Sequence, residues 1–256
     1  MTARNFLVRG LLIGLLAGFA SFLVAHQVGE PHVERAIALE EANAAAADEP
    51  THADEHADEG TSVSRPNQRT WGLLTGTLAV GLAVGGLVAL VAAGTVGRLG
   101  RLSPGQSTAV VSLVGFVAVA LVPFLKYPAT PPAVGSGDTI GDRTSWFFGF
   151  VLISVAVAAL ASLLAVRLAA DVSTYVGVVS GAGLYLVVMV AAGLLMPTVN
   201  EVGDFPADEL WFFRRASLLT LVALWGVIGV GLTGLVARLH GQTSAVRARR
   251  ELAASL

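Results

Sequence analysis

Six long stretches of mainly apolar residues, none with an ionisable group near its middle, constrain this chain more than any other feature. They run at about 6–25, 72–96, 108–125, 146–166, 172–196 and 213–239. Crossing a hydrocarbon core takes about 20 such residues in a helix, because in lipid the backbone must satisfy its own hydrogen bonds. The fold read from this pattern is an all-α integral membrane protein, a six-transmembrane-helix bundle in a single membrane domain. Composition agrees: 13% of the 256 residues are charged, against about 25% in a globular domain. That excludes a disordered chain and a nucleic-acid binder. With no cysteine, a disulfide scaffold, a thiolate metal site and a cysteine nucleophile are excluded too. The first stretch, flanked by Arg4 and Arg9, has the outline of a signal peptide. Its apolar run is too long and Val24-Ala25-His26 is a poor cleavage site, so it is read as an uncleaved span.

Charge is segregated between the two sides. The N-tail, the second and fourth loops and the C-tail hold nine basic and two acidic residues, whereas the first, third and fifth loops hold seven and sixteen. Arg98, Arg101 and Arg167 lie in the short turns that decide orientation best. The expected topology is therefore N-in/C-in, with acidic outer loops, in a bacterial inner membrane crossed several times.

Glycines recur every four residues at Gly10/Gly14/Gly18, Gly72/Gly76, Gly81/Gly85 and Gly177/Gly181. Small residues at this spacing let helices approach closely in lipid. Tight packing is the plain reading, and a glycine-lined path the sharper one.

The outer loops carry the chemistry. Gly29 to Glu41 reads as a short helix, with Pro31 at its first turn and Glu30 and Glu34 at its positive end. Residues 42–64 form a flexible acidic loop in which His52-Ala53-Asp54-Glu55 repeats as His56-Ala57-Asp58-Glu59. In a helix His52 and His56 would share one face and could capture a divalent cation weakly; otherwise the segment is a solvated linker. The third loop opens at Pro123, and four prolines from there to Pro132 point to extended or turning backbone. The fifth opens at Pro197. A polar residue follows three places after each of these prolines, Lys126 and Asn200, and Glu201 comes next. Glu30, Lys126, Asn200 and Glu201 are thus the candidate substrate or metal path. Glu30 and Glu201 are expected to meet around one cation, with Lys126 as their resting counter-ion. Snorkelling of Lys126 and simple helix termination are the alternatives.

At these loops the chain resembles the CbtA family, proposed cobalt-transporter subunits of bacteria. The resemblance is carried by GEPHVERAIALEEA (Gly29–Ala42), FLKYPATPPAVG (Phe124–Gly135), DTIGDRT (Asp138–Thr144) and NEVGDFPADELWFFRRAS (Asn200–Ser217). It implies a membrane protein linked with cobalamin-related genes, and as partner a small single-span CbtB-like subunit with a histidine-rich end.

Residue chemistry and resemblance together point to a membrane subunit of a cobalt (divalent cation) uptake system. The acidic outer side would concentrate cations, and carboxylate, carbonyl and imidazole suit cobalt better than copper(I). The partners expected are membrane lipid, the cation and the companion subunit. No cofactor is expected and no catalytic residue is assigned. Two other classes stay open. One is a non-transporting binding or assembly subunit. The other is an outer-face membrane enzyme built on Lys126, Arg143, Glu201, Asp204 and Asp208.

Overall fold

The structure, a computed structural model, describes residues 2–46 and 64–255; His52 and His56 lie outside them. Six helices are long and apolar enough to cross a membrane: α1 (Ala3–Ala45), α2 (Arg65–Thr95), α3 (Pro104–Lys126), α4 (Gly137–Asp171), α5 (Thr174–Leu195) and α6 (Ala207–Ala254). There is no strand among the described residues. Each span expected from the sequence lies within one of these helices or overruns it by one or two residues at an end, as 172–196 does at both ends of α5. The helices alternate in direction. One end of the bundle therefore gathers the distal part of α1, the starts of α2, α4 and α6, and the ends of α3 and α5. The other end holds both chain ends.

Several helices outrun their apolar stretches. At 43 residues α1 would be roughly 65 Å long at ~1.5 Å per residue. The short helix expected at Gly29–Glu41 is thus the continuation of the first span, joined through a π-helical turn at Ala25–Gly29. Another π turn, Phe116–Leu121, corrects the reading of Pro123 as the start of the third loop. Helix α3 continues to Lys126 with Pro123 inside it. Proline lacks an N–H and its ring crowds the carbonyl four residues back; a π turn just ahead of it relieves that conflict. Pro31 sits in the same position after the first π turn. Asp138 to Arg143, also expected in the loop, form the first turns of α4. By contrast α5 ends as expected. Met196 is extended (ψ 149°), as a residue before proline must be.

Two apolar cores lie side by side. In the first, Ala17 of α1, Ala89 and Ala92 of α2 and Ile228, Leu232 and Val236 of α6 are buried together. In the second, Ala118 of α3 packs with Phe150 and Ala158 of α4 and Tyr185 and Met189 of α5. Helix α3 contributes to both, through Ala120 and Ala118.

Glycine spacing decides how close the helices come. Gly10, Gly14 and Gly18 of α1 face Gly85, Gly81 and Thr77 of α2; a Cβ on Gly18 would stand 2.8 Å from Leu78 Cα. Gly177 and Gly181 meet Ala161, Ala165 and Ala169 of α4 in the same way. These glycines pack helix on helix, as the plain reading has it. Gly76 faces open space and Gly72 touches only its own helix, so that pair does not take part. Between the hairpin helices α4 and α5, the Ser154 and Tyr185 hydroxyls bond at 2.7 Å. Such a bond in a membrane bundle is worth about 0.6–2 kcal/mol.

Candidate functional site

The end of the bundle bearing Lys126 collects most of the ion pairing, in two networks. The first joins α1, α2 and α6. Because α2 begins two turns before its apolar stretch, Arg65 and Arg69 reach α1. Arg65 donates to Glu30 at 2.8 Å, Arg69 pairs with Glu34, and the Arg69 carbonyl lies 3.1 Å from His26 Nδ1. On the α6 side, Glu209 lies 3.1 Å from His32 Nδ1 and 3.0 Å from Arg35 Nη1. The His32 ring stacks on Phe212 with centroids 5.7 Å apart, and Arg215 lies over the same ring. Position explains Glu209: it sits in the first turn of α6, where the helix dipole favours a carboxylate.

The second network ties the loop after α3 to the loop after α5. Glu201 accepts from the Thr139 hydroxyl at 2.9 Å and the Ser136 amide at 3.2 Å, with Arg143 Nε at 3.7 Å. The Thr139 bond first, and the Ser136 bond second, hold the Glu201 carboxyl below the usual carboxylate range; burial pushes the other way and Arg143 adds least. Arg143 also donates to the Ser136 carbonyl at 3.0 Å. Lys126 Nζ donates to the Met196 carbonyl at 3.2 Å and Tyr127 Oη to that of Pro197 at 2.8 Å. Both acceptors lie just after Leu195, the last residue of α5. The loop after α3 turns through Ala133 (φ 65°) and Gly135 (φ 100°) and tucks Val134 inside.

Glu30 and Glu201 do not share a site: Glu30 belongs to the first network and Glu201 to the second. The expected counter-ion differs as well. Arg65 and Arg143 face these carboxylates, while Lys126 donates to the Met196 carbonyl just after α5. Asn200 is exposed. Of the residues weighed for an enzyme, Arg143 and Glu201 are neighbours, and Asp204 and Asp208 are exposed. Among the described residues no three His, Asp or Glu are grouped to hold a metal ion. His32, Arg35 and Glu209 are junction residues missed in the sequence. Each lies inside a stretch that carried the resemblance, but only their emergence at one end of the bundle could have signalled them.

The two networks bring all four of those stretches together. Gly29–Ala42 meets Asn200–Ser217 through His32, Arg35 and Glu209. The segment from Phe124 to Thr144 meets it through Glu201, and through Arg214, whose Nε donates to the Ala129 carbonyl at 3.4 Å. Six membrane-length helices with their ion pairs gathered at one end define a multi-pass membrane protein. The chain belongs to the CbtA family, described as a probable cobalt transporter subunit, whose sequence model matches residues 3–237. No curated protein and no solved structure matches it.

Proposed function

We propose that this chain is the membrane subunit of a bacterial cobalt-uptake system. In this reading it works with a small, single-span, histidine-rich companion of the CbtB kind, which supplies metal ligands at the outer face. The family match over residues 3–237 carries the proposal. The assignment of ligands to the companion rests on the pairing of Glu30, Glu34, Glu201 and Glu209, each with an arginine. A cation binding at any of them would have to displace a guanidinium. Glu30 and Glu201 therefore hold the shape of the mouth. His52 and His56 add weak capture.

The same pairing favours a second reading, in which the chain assembles and positions the companion without carrying the ion. Uptake of radioactive cobalt separates the two. Cells carrying both subunits should accumulate cobalt well above cells carrying either one alone. Uptake that stays constant per copy of membrane-inserted companion, with or without this chain, would leave this chain an assembly role, and no uptake in any combination would end the transport reading.

A further inference from the structure

A cavity of about 570 Å³ opens between the end of α3, the start of α4 and the start of α6. Its wall combines three cations, Lys126, Arg143 and Arg214, with Phe124, Phe147 and Phe148, and no carboxylate lines it among the described residues. A metal cation would be repelled there. Most of the cationic donors are unspent. Lys126 uses one N–H on Met196 and Arg214 uses one on Ala129, at a long 3.4 Å. Arg143 uses one N–H on the Ser136 carbonyl while its Nε is buried without a hydrogen bond, and Glu201, beside Arg143, is the nearby counter-charge.

We infer that this cavity binds the phosphate headgroup of an anionic phospholipid. Several cationic N–H donors suit phosphate oxygens, and guanidinium does so with matched geometry. The lipid source follows from position and rim. The cavity lies where three membrane-length helices have their ends, the part of a spanning helix that meets headgroups. Two of its lining residues, Phe148 and Ile140, are 58% and 56% exposed and face the surroundings of the bundle. A free anion needs no such apolar rim, whereas acyl chains do.

The test is lipid binding by the purified full chain in detergent, with phosphatidylglycerol, phosphatidylcholine and inorganic phosphate as separate probes. Its readout is lipid bound, so it can fail while the cobalt reading stands. Phosphatidylglycerol should bind at least about tenfold more tightly than phosphatidylcholine, and the double variant Lys126→Gln/Arg214→Gln should lose that preference. Ile140→Glu, an exposed change that adds a carboxylate to the wall, should lose it as well and decides the matter if the double variant does not fold. Arg98→Gln/Arg101→Gln, at the opposite end, should keep it. Equal binding of the two lipids, or a preference that survives Ile140→Glu, would overturn the site. Displacement of the lipid by inorganic phosphate at equal concentration would overturn the lipid assignment in favour of a free anion.

Discussion

Glu201 is the residue on which the loops after α3 and α5 depend, since it takes bonds from Thr139 and Ser136 and faces Arg143. Its carboxyl is held below the usual range, so the folded protein keeps it ionised where an unfolded chain would already take up a proton. The stability it contributes is complete above the ordinary carboxylate pKa of about 4.3 and is lost as pH falls through the lower folded value. Thermal unfolding in detergent should show an acid-side loss of stability that is smaller in Glu201→Gln, because the variant has nothing left to protonate there. If Glu201 serves shape, the same variant should lower membrane abundance and cobalt uptake in proportion. Uptake lost at normal abundance would make Glu201 a metal contact instead.

At the scale of elements, the contact of α1 with α2 is backbone on backbone, and it tolerates no side chain at Gly14. A Cβ there would stand 3.2 Å from Leu82 Cα and closer still to the Gly81 carbonyl. Gly14→Val should cost about 1–3 kcal/mol or more and show as lost abundance, whereas Gly76→Ala, in open space, should be tolerated. Spans were legible in the sequence because lipid admits no charge at their centres. Their polar ends were legible as helix at Gly29–Glu41, but not as a continuation of the first span. Beyond Gly29, α1 runs on through Ala- and Glu-rich sequence that is good helix but carries no membrane signal. Pro123 was read as a terminator because a π turn that accommodates proline leaves no mark in composition. The glycine repeats gave the packing faces but not which of them would be used. The site was half legible: sequence located the Glu201 and Lys126 region, while the partners stayed hidden. Arg35 and His32 find Glu209 more than 170 positions away, and no local pattern encodes that.

For the molecule as a whole, charge segregation sets the orientation we propose, with both termini in the cytoplasm and the paired networks outside. In a chain without cysteine, Asp138→Cys and Asp204→Cys should label with an impermeant maleimide in intact cells, and Gln242→Cys should not. All three positions are exposed in the structure, so the reverse pattern would invert the topology. The central claim is that this bundle, with its companion, moves cobalt. Proteoliposomes holding the two purified subunits and a trapped cobalt-quenched dye test it most directly. Quenching after external cobalt should be fast when both are present and should fall to the leak of empty liposomes when this chain is omitted. Quenching at the same rate without this chain, or none with both, would contradict it.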